Sequence, residues 1–231
     1  FKPFDPGQAG VYGDAAWRAK ANEATFPPLE IAPPPPPLAV HDTFETIPLG
    51  QAPAGAEVHV ENRGDAIVVT DETAASGSRS LKILDAPGLT RSWNPHFVYP
   101  GLRYETGPVV NRFALRVERD TLLSFEWRDY SGSGYQVGPH FSIRQGRLEV
   151  TPDRAVDLPL DAWVSFELRA TLGPSDNAKW TLRVERHGQS PDVLADRPYG
   201  SPNFKKLMWI GFTSTATKKT AFFLADFHLS L

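Results

Sequence analysis

The stretch "LLSFEWRDYSGSGYQVGPHFSIRQG", residues 122–146, decides the fold. Leu123, Phe125 and Trp127 alternate with Ser124, Glu126 and Arg128, the two-residue period of a strand with one oily and one wet face. The glycine-rich "YSGSG" then turns the chain, and a second alternating run follows. Here Val137, Phe141 and Ile143 take the core side, while Gln136, Gly138, His140 and Ser142 share the other parity. If the runs pair as a hairpin, Glu126, Arg128, Gln136 and His140 lie side by side on one face. Glu126 and Asp129, three apart, fall on opposite faces and cannot act as a carboxylate pair.

The same period continues in both directions. "AIVVT", "SLKIL", "RFALRVER", "RLEV", "WVSFELRA", "WTLRVER", "LMWIGFT" and "FFLADFHLSL" read as strands, separated by turns such as "RQGR", "LGPSDN" and "ERHGQ". About twelve strands and almost no helix are expected after residue 40. No internal repeat appears, which argues against a propeller. The expected fold is all-β: two antiparallel sheets packed face to face as a jelly-roll sandwich. Residues 1–40 differ. Asp14 caps a short helix expected from about Ala15 to Glu23, and Pro33–Pro37 form a polyproline II rod. The expected organisation is an N-terminal arm or linker, 1–40, and a sandwich domain, 41–231.

Composition narrows the function. The 231 residues carry 24 Lys and Arg against 27 Asp and Glu, a formal charge of −3, with no basic footprint for nucleic acid. No apolar run approaches a membrane span. There are no cysteines, hence no disulfides and no thiolate chemistry. The opening "FKPFDPGQAG" has no basic start followed by an apolar block and is not a leader peptide; if the protein is exported, its leader is expected upstream or already removed. Phosphate-loop, dinucleotide, HExxH and GxSxG motifs are absent. His41, His59, His187 and His228 are scattered along the chain, so no catalytic zinc site is expected.

The polar row is a candidate ligand face. In "KLMWIGFTS", Met208, Ile210 and Phe212 read as core, which turns Trp209 outward beside Glu126, Arg128, Gln136 and His140. "WVSFELR" is expected to extend the row with Ser165, Glu167 and Arg169. An indole among planar polar groups suits a sugar, which offers a C–H face and a ring of hydroxyls. Arg128 or Arg169 could pair with a uronate or sulfate. Trp127, Trp163 and Trp180 read as core. "TRSWNPHFVYPGLRY" is too rich in proline for a central strand. It is expected to be a loop carrying Trp93, His96, Tyr99 and Tyr104, and Trp93 and Tyr135 are further candidates for gripping a ligand. The other reading of the polar row is a solvated sheet face laced by Glu–Arg pairs.

"HDTFETIPLG", "AASGSRSLKILDAPG" and the closing "FFLADFHLSL", in that order, resemble the concanavalin A/laminin G-like jelly rolls that serve as accessory domains of bacterial extracellular polysaccharide-acting proteins. "GVYGDAAW" resembles segments that join such domains to a preceding module. The resemblance implies a secreted, non-catalytic module that binds a polysaccharide or oligosaccharide beside a neighbouring catalytic module. It also implies a structural calcium ion shared by a first-strand glutamate and a last-strand aspartate, here Glu45 and Asp226, with Thr43 and Ser78 as further oxygen ligands. The runner-up is a jelly-roll polysaccharide lyase or glycoside hydrolase, with Arg128, His140 and Tyr135 in its site. The laminarinase-type E-x-D-x-x-E strand is absent. A structural domain of a larger exported assembly is the third reading.

Overall fold

Why the chain makes a sandwich is visible in its burial. Along Leu122–Gly132, Leu123, Phe125, Trp127 and Asp129 are buried and the residues between them are not. The computed structural model describes residues 36–231 and the isolated position Ala15. The expected helix, apart from Ala15, and the start of the polyproline rod therefore lie outside the described residues.

Among the described residues fifteen strands follow one another: β1 (Val40–Asp42), β2 (Glu57–His59), β3 (Ala66–Thr70), β4 (Ser80–Asp85), β5 (His96–Tyr104), β6 (Gly107–Val117), β7 (Leu122–Gly132), β8 (Gly134–Arg144), β9 (Arg147–Val150), β10 (Arg154–Asp157), β11 (Trp163–Leu172), β12 (Lys179–Arg186), β13 (Asp192–Pro198), β14 (Leu207–Ser214) and β15 (Thr220–Ser230). The front sheet runs β10-β9-β8-β7-β14-β5-β2. The back sheet runs β13-β12-β11-β6-β15-β4-β3, with β1 also on β15. Every pairing is antiparallel. The expected two-sheet jelly-roll sandwich is the fold.

The layers meet through phenylalanines. Phe113 and Phe166 of the back sheet lie 5.5 Å apart, and Phe113 also meets Phe125 and Phe212 of the front sheet, both at 5.2 Å. Offset and edge-on ring pairs at these separations add to the burial term itself. Polar pins reinforce the seam. Asp85 at the end of β4 accepts hydrogen bonds from the Ser214 hydroxyl and the Ala216 N–H. Tyr99 on β5 donates to Asp42 on β1.

Four expectations are corrected. The proline-rich 96–104 segment is a strand, second from the front sheet's edge. Its proline is tolerated because β2 pairs only with residues 96–98, and a register shift in β14 faces Pro100. Tyr99 and Tyr104 are consequently core residues. The strand with Ser165, Glu167 and Arg169 belongs to the back sheet, so it cannot extend the front row. Met208 is half-buried rather than core, because that same shift puts Leu207 into the interior. Trp163 is likewise half-buried, while Trp127 and Trp180 are buried.

Candidate functional site

The outer face of the front sheet is a grid set by register. One row crosses the strands as His59, His96, Thr213, Ser124 and Ser142. The next runs Glu57, Val98, Gly211, Glu126 and His140, and a third Pro100, Trp209, Arg128 and Val137. Residues directly opposite share a face, so all these positions point away from the core.

Trp209 lies over its own strand. A Cβ on Gly211 would come within 1.9 Å of the indole, so this glycine is the vacancy in which the ring rests. Arg128 then stacks on the ring, with its guanidinium carbon 4.1 Å from the Trp209 centroid and 4.2 Å from that of Tyr135. Its Nε donates to Glu126 at 2.8 Å and its Nη1 to the Tyr130 hydroxyl at 3.2 Å. Burial opposes the Arg128 charge, but the Tyr130 hydroxyl and the Glu126 carboxylate outweigh it and hold the guanidinium pKa above its ordinary value. The result is a rigid Trp–Arg–Tyr stack beside a groove of about 480 Å³, lined by Trp93, His96, Ser124, Glu126, Arg128, Tyr135, Trp209, Thr213 and Thr215.

The far wall hangs from Glu61. Its carboxylate accepts the N–H groups of Thr90 (2.7 Å) and Arg91 (2.8 Å) and the side-chain amide of Asn94 (3.2 Å). Those donors, Thr90 first, hold its pKa down at about 2. The loop so fixed presents Trp93, which is 54% exposed. His96 follows, its Nδ1 lying 3.1 Å from the Trp93 carbonyl and 3.0 Å from Asn94 Oδ1. Two acceptors at Nδ1 place the proton there and leave Nε2 with its lone pair. Burial, then the stacked His59 ring at 4.0 Å, push the His96 pKa down to about 4, so it is neutral at pH 7.

Of the residues expected in the site, Glu126, Arg128, Tyr135, Trp209 and Trp93 come together. Gln136 does not. Between His140, opposite Glu126, and Val137, opposite Arg128, β8 has one residue more than β7. This bulge flips the parity beyond it, so Gln136 pairs with the inward-facing Asp129 and Tyr135 takes the outer face instead. His140 keeps its expected parity but is roofed: a Cβ on Gly200 would lie 3.1 Å from its ring, and its Nδ1 contacts the Gly138 carbonyl at 3.0 Å. Sequence reasoning missed the hydroxyl floor of Ser124, Thr213 and Thr215, and it read His96 as a loop residue. Two signals were present: "WIG", a glycine two positions after an outward tryptophan, and "GP" at 138–139, a bulge mark within a strand. The histidines are less scattered than the sequence suggests, since His41 faces His228 across β1 and β15 and His59 stacks on His96.

Of the calcium ligands implied by the resemblance, Glu45 and Ser78 are in contact, and Asp226 reaches the same 76–79 turn through Ser76. Glu45 stands in the turn after β1, not within a strand. It accepts the Ser78 N–H (2.9 Å) and hydroxyl (2.8 Å) and the Arg79 N–H (2.8 Å). Ser78 N–H, the leading cause, and its companions hold the Glu45 carboxyl below the usual range. Asp226, at the bulge of β15, accepts the Ser76 hydroxyl at 2.7 Å. Thr43 precedes this turn and is half-buried. The donor set is all oxygen and suits a hard cation in kind. Three of the roughly four lone-pair sites of Glu45 are already used by N–H and O–H donors. Among the described residues no group of three or more His, Asp or Glu is arranged to hold a metal.

No family model and no curated protein sequence matches the chain. Solved structures do share its jelly-roll fold. An endo-β-1,4-glucuronan lyase from the fungus Trichoderma reesei is similar with a TM-score of 0.54 at 11% identity, over 79% of this chain and 93% of that one. The cellulose-induced protein Cip1 is similar at 0.54 and 14% identity, over 83% and 96%. A marine alginate lyase from Aplysia kurodai is similar at 0.52 and 10% identity, over 71% and 86%. At such identities the likeness concerns the fold, and function has to be argued from the site.

Proposed function

We propose that the protein is a non-catalytic polysaccharide-binding module, with the groove on the outer face of the front sheet as its site. The observation that carries this reading is the juxtaposition of Trp93, Trp209 and Tyr135 around a floor of hydroxyls and a neutral imidazole. Trp93 and the side of Tyr135 away from Arg128 take the C–H faces of sugars, Trp209 anchors the stack, and Ser124, Thr213, Thr215, Glu126 and His96 Nε2 meet their hydroxyls. Similarity in fold to proteins described as acting on glucuronan and alginate supports the same partner class. A secreted location and a neighbouring catalytic module accord with that partner. The lyase assembly of Arg128, Tyr135, Gln136 and His140 is less well supported, because Gln136 and His140 do not line the groove.

Affinity electrophoresis on a panel of soluble polysaccharides tests the proposal. Retention by at least one polymer, without release of ultraviolet-absorbing unsaturated ends, is expected. Retention that survives Trp209→Ala unchanged would place the site elsewhere, and product release would replace the binding reading with the lyase one.

We also propose that Glu45, Asp226, Thr43 and Ser78 hold a calcium ion that ties the turn after β1 and strand β15 to the 76–79 turn. Chelation should then lower Tm by several degrees, since about 1 kcal/mol moves a domain of this size by roughly 2–4 °C. An unchanged Tm removes the ion.

A further inference from the structure

We infer that the groove selects uncharged polysaccharides and discriminates against uronate and sulfated ones, an inference that rests on the glycan-binding reading above. It runs against both the sequence expectation of an Arg128–uronate pair and the polymers associated with the similar folds. Its basis is the state of Arg128, the one cation that lines the groove among the described residues. Both faces of that guanidinium are covered, by Trp209 at 4.1 Å and Tyr135 at 4.2 Å. Its Nε edge is held by Glu126 at 2.8 Å, and one of its terminal nitrogens by Tyr130 at 3.2 Å. A carboxylate seeking the side-on, two-pronged approach to arginine needs Nε and finds Glu126 already there.

Charge accounting gives the same answer. Among the described residues the lining contains one carboxylate, Glu126, and one guanidinium, Arg128, in direct contact, so their sum is zero. His96 contributes no charge at neutral pH. Arg91 stands on the adjoining loop, outside the lining. An anionic sugar entering the groove would lose water and find the lining cation already paired with Glu126, which would repel it; Arg91, whose charge reaches His96, is the nearest further cation on the rim. An uncharged sugar loses less and still meets the aromatic faces and the hydroxyl floor. Arg128 thus acts as a positioning residue that props Trp209 and Tyr135 apart, and Glu126 cancels the charge this would otherwise place in the site.

The test measures affinity electrophoresis and titration calorimetry on the full chain with a neutral xylan, a neutral β-glucan, alginate and polygalacturonate, from about 0.01 M to about 1 M salt. Over that range the screening length falls from about 30 Å to about 3 Å. Wild-type protein should favour a neutral polymer by at least about tenfold, and this affinity should be nearly independent of salt. Glu126→Gln should raise affinity for the polyuronates by roughly tenfold and make it salt-sensitive, shifting the neutral-to-anionic ratio. The wild-type salt series needs no variant and stands even if Glu126→Gln folds poorly. Wild-type preference for alginate or polygalacturonate, weakened by salt, overturns this inference and leaves the glycan-binding reading intact. Retention by none of the four, together with none across the wider panel, overturns both.

Discussion

The two outer faces of the sandwich are made of the same material and arranged differently. Each carries arginines and glutamates at outward positions of long strands, and each has a depression of similar size, about 430 Å³ on the back sheet and about 480 Å³ on the front. On the back, Glu167 bridges Arg112 and Arg169, both at 2.6 Å, and Arg183 pairs with Glu185. Of the aromatics there, Phe223 is 2% exposed beneath Lys82 and Arg116, and Trp163 is half-buried with its Nε1 donating to the Thr73 hydroxyl. The phenylalanines lining that depression, Phe113 and Phe166, belong to the core. On the front, the ion pair sits between two rings and the neighbouring Trp93 and Tyr135 remain about half exposed. Volume and charge therefore do not distinguish the proposed binding face from the other one. What does is whether aromatic surface is left open beside the ion pairs.

The comparison can be broken most drastically from within. Phe113 meets rings from both sheets, so Phe113→Ala should cost about 3–5 kcal/mol. Denaturant unfolding should show both faces lost in one transition. A loss under about 1 kcal/mol would mean that the layers do not depend on this ring cluster.

A sharper cut separates the faces. Gly211→Val puts side-chain atoms where the Trp209 indole rests and should lower glycan retention as far as Trp209→Ala does, on the order of tenfold or more. The domain should stay folded by circular dichroism. Normal retention in Gly211→Val would show that the ring's position is not what binds.

Acid should act on the front wall. The folded pKa of His96, about 4, lies below its ordinary 6.5, so the unfolded chain binds the extra proton between those values. Stability contributed by neutral His96 is complete above about pH 6.5 and is lost as pH falls towards about 4. Glu61, depressed from 4.5 to about 2, continues the same trend at lower pH. Urea midpoints across this range should fall, and His96→Gln should flatten the upper part. An identical profile in the variant would dissociate the imidazole from the effect.

The smallest change is expected on the back. Glu167→Ala removes an exposed ion-pair lattice and should cost less than about 1 kcal/mol, with glycan retention unaltered. Lost retention would move the site to that sheet.

Much of this was legible in the chain. Inward Leu123, Phe125 and Trp127, outward Glu126 and Arg128, the separation of Glu126 from Asp129 and the outward Trp209 all follow from a two-residue period. Gln136 was misplaced because one extra residue in β8 reverses every parity beyond it. His140 was placed on the right face, yet a loop some sixty residues later covers it. The 96–104 strand was hidden by a proline whose missing N–H costs little where the edge strand has already ended.

The alternation of apolar and polar residues determined, without reference to anything distant, that this chain forms strands and which side of most of them is oily. Side-chain parity is a property of consecutive residues, and it needs no partner. Tertiary structure alone decided that β14 lies between β7 and β5, that the 163–172 strand belongs to the opposite sheet, and that Arg128 is clasped by Trp209 and Tyr135. Those facts depend on register between segments far apart in the chain, where one bulge or one covering loop redistributes which groups meet. No local pattern records that choice.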